Sequence, residues 1–116
     1  MKIGEGVFQL RVAETENERT EGLGGVAVLP LNEGMFFIFP ADGFHAMWMK
    51  NMLIPIDIIW LTSDFLVIDA RDNVLPSSFP EIFSPQAPAR FVVELPADAL
   101  KAFSIKEGSR TEILSE

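Results

Sequence analysis

The sequence predicts a mainly β domain, a sandwich or partly open barrel of about seven short strands with two short helices. Three observations carry this. Short apolar runs recur between turn signals along most of the chain. The runs are too short for ordinary helices and are rich in Phe, Ile and Val. Residues 73–89 hold Pro76, Pro80, Pro85 and Pro88 among serines, a composition that supports neither a helix nor a central strand. With 116 residues and 48% hydrophobic content, residues 1–116 amount to one domain that can bury a core without covalent staples.

Taken in order, residues 7–12 alternate as a strand, with Val7, Gln9 and Arg11 facing water and Phe8, Leu10 and Val12 facing the core. Thr15 followed by Glu18 is a capping box, and Glu14, Glu16 and Glu18 suit the positive end of a helix over 16–22 that Gly22 or Gly24 ends. Residues 35–39 form a strand covered on both faces, closed by a turn at Pro40, Asp42 and Gly43. Two strands follow, 45–50 and 56–61, parted by a kink over 51–55; Thr62, Ser63 and Asp64 then turn the chain into a strand over 65–70. The proline-rich stretch 73–89 is a long surface loop that Phe79, Ile82 and Phe83 pack down. A strand over 91–95, a helix over 96–103 with Pro96 at its first position, and a last strand over 110–114 complete the chain. The predicted core is 35–39, Trp48 and 56–61.

Composition excludes several functions. Nine Lys plus Arg against 17 Asp plus Glu give a net charge of -8 with no basic cluster, which opposes nucleic acid as a partner. The longest apolar stretches, 34–40 and 54–61, are far shorter than the roughly 20 residues of a membrane-spanning helix. The absence of Cys removes disulfides, thiolate metal sites and thiol nucleophiles. There is no nucleophile-elbow serine, phosphate loop or dinucleotide fingerprint, so hydrolysis by those routes is not expected and no cofactor is implied.

Five blocks are distinctive: Arg19 with Gly22 and Leu23; residues 34–39; Trp48, Met49, Lys50 and Asn51; residues 54–59 with Pro55 and Asp57; and Val93, Glu94 and Leu95 before Gly108. In this order they resemble domain-of-unknown-function family 192. The resemblance implies a compact, mainly β domain of bacterial or archaeal origin, often found behind an export signal or membrane anchor, and it implies no reaction. A cell-envelope or periplasmic location is therefore expected if an export signal has been removed, and a cytoplasmic one otherwise. Gly24, Met52, Asp98 and Ser109 stand where the family usually has Met, Thr, Gly and Asp.

Asp57 interrupts an apolar strand between Ile56 and Ile58, so its carboxylate lies at a strand mouth or is buried with partners. It is read either as a general base or ligand anchor near Lys50, Asn51 and Arg19, or as a structural acceptor of backbone amides around 51–55 or a partner of Arg19. Glu94, between Val93 and Leu95, poses the same question. Trp48 and Trp60 offer ring faces for a sugar, although such residues more often fill cores. His45, Met47 and Met49 share one side of an extended strand, with Met52 close behind, a soft set suited to Cu(I), although such residues more often fill a core. The family pattern supplies Trp48 and Met49 but not His45 and Met47, so copper binding would be particular to this protein.

The leading expectation is a ligand-binding module for a small molecule or carbohydrate, with a cleft edged by Arg19, Trp48, Lys50, Asn51 and Asp57 and rimmed by the proline-rich loop. The alternative is a structural or protein-interaction domain. An acid-base enzyme using Asp57 as base, Lys50 or Arg19 to hold a developing anion and Asn51 to orient substrate ranks below both.

Overall fold

The computed structural model describes residues 1–114. Eight strands and two short helices follow one another: β1 (Lys2–Ile3), β2 (Gly6–Val7), β3 (Gln9–Ala13), α1 (Glu16–Glu21), β4 (Glu33–Gly43), β5 (Ile56–Leu61), β6 (Val67–Val74), β7 (Ala89–Pro96), α2 (Ala99–Ala102) and β8 (Thr111–Glu112). Five strands make one sheet in the order β3-β4-β7-β5-β6, and β2-β1-β8 make a smaller one; the sheets do not close into a barrel. β3 and β4 run parallel, joined through α1, and the other ladders are antiparallel.

Two apolar layers explain the order of the large sheet. All six residues of β5 are buried, so this strand needs cover on both faces. On one face Ile56, Ile58 and Trp60 pack with Met35, Phe37, Val92 and Leu23, beneath Met49 and Met52. On the other, Ile59 and Leu61 pack with Phe36, Val93 and Leu95, beneath Ile3 of the small sheet, Phe8 between β2 and β3, and Ala99 of α2. Gly34 is required where β4 passes β7, because a Cβ there would lie 2.2 Å from the Glu94 carbonyl oxygen.

Several expectations are corrected by tertiary contacts. The strand expected over 7–12 is broken at Phe8, which turns inward against Phe103; Val12 is exposed and Ala13 buried. The turn expected at Pro40 is a bulge within β4, where pairing passes from Ile38↔Phe91 to Gly43↔Ala89. Residues 45–50 are not a strand: only Met47 pairs, across to Phe83. Pro96 ends β7 rather than starting a helix, and α2 begins at Ala99. Trp48 is 45% exposed and lies outside the core, whereas Trp60 is fully buried. β6 extends to Val74, so the proline-rich loop spans 75–88; Phe83 packs down as expected, but Phe79 and Ile82 are exposed. Hydrogen bonds from the Gln86 amide to Asp69 and from Arg71 to the Ser84 carbonyl hold this loop against β6.

Candidate functional site

A cleft of about 340 Å³ opens on the sheet face that carries Met35 and Ile58. Its walls come from three places. α1 forms where the sequence predicts, with reciprocal capping bonds between Thr15 and Glu18, and ends at Gly22, whose positive φ turns the chain back. The Thr15 and Glu14 amides hold the Glu18 carboxylate below its ordinary pKa. This places Glu16, Arg19 and Glu21 along one side. β4 contributes Phe37 and Phe39. The third wall is the irregular segment 44–55, pinned by Trp60 Nε1 donating to the His45 carbonyl (2.8 Å) and by two backbone bonds between Met47 and Phe83. From it Met47, Trp48, Lys50 and Met52 reach the cleft.

The cations at the mouth are held. Arg19 Nη1 donates to the carbonyls of Glu14 and Ile38, the latter at 2.9 Å, and the guanidinium lies over Phe39. The Lys50 ammonium sits 5.6 Å from the centre of the Trp48 ring, whose centroid is 5.1 Å from that of Phe79.

At the floor is Glu94. Antiparallel pairing sets it opposite Met35 on β4 and Ile58 on β5, so both strand neighbours are apolar. Its side chain is 3% exposed and lines the cleft; among the described residues no hydrogen bond reaches its carboxyl, and since no fully buried side-chain oxygen there goes unpartnered, its oxygens open on the cleft. Burial alone pushes its pKa up to about 8, so the group is mostly protonated at neutral pH.

Asp57 lies on the opposite face. It pairs with Leu95, one residue out of phase with Glu94, and its side chain emerges on the α2 side of the sheet. There its two oxygens accept the amides of Asn73 and Leu100, each at 2.8 Å. The N-cap residue of α2, Asp98, makes no capping bond with its own side chain, and Asp57 supplies that acceptor from across the fold. Burial raises the Asp57 pKa, opposed by the amides of Leu100, Asn73 and Asp98. A sheet thus separates Asp57 from the cleft edged by Arg19 and Lys50, and the acid-base constellation expected from the sequence is not assembled.

Of the expected site residues, Arg19, Trp48 and Lys50 come together and Asp57 does not. Asn51 is absent from the cleft lining; it adopts a positive φ and its carbonyl accepts the Gly25 amide. The copper set is dispersed: His45 stacks on Phe39 and bonds the Ala41 carbonyl, Met47 lines the cleft, and Met49 is buried in the core. Without a strand over 45–50, the alternation that aligned them is lost. No local pattern marks Phe37, Phe39, Met47, Met52, Glu16 and Glu21 as cleft residues, because a helix, a strand and a loop distant in sequence meet only in the fold.

Residues 1–113 match the model of an uncharacterized family, described as Uncharacterized ACR, DUF192. The chain belongs to domain-of-unknown-function family 192. Relatives of curated sequence include a UPF0127 protein of Thermococcus kodakarensis, 26% identical over 102 residues, and another of Thermococcus gammatolerans, 29% identical over 101. The alignments cover 86% and 85% of this chain but 61% and 62% of those proteins, so the chain spans about six-tenths of their length. Among solved structures, a candidate transcription regulator of Sinorhizobium meliloti is similar with a TM-score of 0.87 and 28% identity, covering 90% of this chain and 81% of that one. A protein of unknown function from Novosphingobium aromaticivorans gives 0.88 and 29%, covering 93% and 76%.

Proposed function

We propose that this family 192 domain binds a small organic molecule in the cleft beside Trp48, with the Glu94 carboxyl as the polar contact at its floor. The observation that carries the reading is a nearly buried carboxyl that no protein group hydrogen-bonds among the described residues and whose oxygens open on a cleft walled by Leu23, Phe37, Phe39, Met47 and Met52. A buried polar group normally has a partner, and a ligand can provide the one the protein does not. The cleft lies within the size range of small-molecule sites, roughly 300–1,000 Å³. A carbohydrate fits less well than the sequence suggests: Lys50 and Phe79 already lie against the Trp48 ring, leaving less open face for a sugar. The cell-envelope setting belongs to the proposal on the family resemblance, and locating the native protein in fractionated cells tests it.

The cleft itself is tested by protein-observed NMR with a panel of small alcohols, amides, amines, acids and sugars. At least one class is expected to shift the amides of Gly22, Trp48, Lys50 and Glu94 together, and Glu94→Ala to weaken that binding by roughly tenfold or more. A panel that leaves these amides unmoved at millimolar concentration would return the domain to the structural or protein-interaction reading.

A further inference from the structure

Resting on the cleft being a small-molecule site, we infer that the group seated on Glu94 is a protonated primary amine carried on an apolar shaft. The apolar lining residues Leu23, Phe37, Met47 and Met52 call for an apolar shaft. The head group follows from what the carboxyl lacks. A ligand anion would add repulsion to a site already unfavourable for negative charge. A hydroxyl would supply one neutral hydrogen bond. An ammonium supplies several donors and the opposite charge, and a charge-assisted bond gains most where water is excluded.

The charged groups facing this site are few. α1 contributes Glu16, Arg19 and Glu21, and segment 44–55 contributes Lys50; β4 and β5 place Met35 and Ile58 beside the carboxyl. The two cations at the mouth are matched by the two α1 carboxylates, so the entrance carries no net positive charge. Arg19 is tied to two carbonyls and Lys50 lies over Trp48, and burial, rather than either cation, sets the proton affinity of Glu94. The step balances simply: the neutral carboxyl loses its proton to solvent, and the carboxylate left behind pairs with an ammonium that keeps all its protons.

The test uses hexylamine, hexanol and hexanoate as probes of equal shaft length, titrated calorimetrically into the wild type and Glu94→Gln at pH 6 and pH 8. Hexylamine keeps its charge across this range, as lysine does. With a carboxyl pKa of about 8, the ionised fraction rises from about one in a hundred to about a half, so hexylamine affinity is expected to rise about 50-fold. In buffers of differing ionisation enthalpy at pH 6, about one proton should be released per amine bound. Glu94→Gln should bind hexylamine with neither the pH dependence nor the release. Hexanol binding as well as hexylamine, without proton release, would overturn the inference and leave the cleft reading standing. Failure of all three probes to bind would overturn both.

Discussion

Replacing Glu94 by Gln removes an ionisable group while keeping its shape, and the fold makes a signed prediction for the result. A carboxyl whose pKa is higher folded than unfolded holds its proton more firmly in the native state. Between the two values folding takes up a proton, so stability falls as pH rises. For Glu94 the window runs from the ordinary 4.5 to about 8. Its contribution is fully present below pH 4.5 and has been lost above about pH 8. At about 1.4 kcal/mol per pH unit, the whole window amounts to about 4–5 kcal/mol, a large share of the roughly 5–15 kcal/mol that holds a domain together. The neutral amide of Gln has no such window. Urea denaturation of both proteins at unit steps from pH 5 to pH 9 should therefore show nearly equal stabilities at pH 5 and a gap of about 4 kcal/mol in favour of Glu94→Gln at pH 9. Asp57 shifts in the same direction, but it is present in both proteins and cancels in the difference. Parallel stability curves would mean that Glu94 is ionised in a solvated environment, and the buried floor of the cleft would have to be abandoned.

The remaining predictions concern the frame around the site. Asp57→Asn keeps one acceptor and turns an NH₂ group against a backbone amide that now bonds a carboxylate oxygen, so thermal unfolding should show a loss on the order of 3 kcal/mol, with cleft binding unchanged because the residue lies across the sheet. Gly34→Ala forces a methyl group to within 2.2 Å of the Glu94 carbonyl, and β4 must move away from β7; soluble yield and melting temperature should fall by the equivalent of about 3 kcal/mol or more. Thr15→Ala leaves the Glu18 amide without its acceptor and should lower stability by about 1 kcal/mol in chemical denaturation, a small effect on an exposed helix.

What the sequence made legible was local. The capping box of Thr15 and Glu18 marks α1 to within a residue, because both partners lie within one turn. The unbroken apolar run 35–39 announces a strand covered on both faces, and Met35, Phe36 and Phe37 of β4 are buried in succession. Residues 45–50 carried an equally good alternating pattern and are not a strand. Their path is set from outside, by the Trp60 indole holding the His45 carbonyl and by Phe83 of the proline-rich loop pairing with Met47. No local pattern encodes either contact. Trp48 follows from this: freed from a ladder, it stands half-exposed at the cleft, where a strand would have given it a core partner.

Asp57 and Glu94 show where local reading ends in the site itself. Each is a lone acid flanked by apolar residues in a buried strand, and nothing in the neighbouring residues distinguishes them. Their fates are divided by parity across one ladder. β5 and β7 are adjacent and antiparallel, with Asp57 opposite Leu95 and Ile58 opposite Glu94, so the two carboxyls leave opposite faces of the sheet. One face meets the start of α2 and the end of β6, whose backbone amides are available to a carboxylate. The other meets Phe37, Met47 and Met52, side chains that offer it no conventional hydrogen-bond donor. A slip of one residue in this register would turn one strand over relative to the other and bring both carboxyls to the same face of the sheet. The pairing register between two strands separated by residues 62–88 thus decides which acid supports the fold and which is left to meet a ligand.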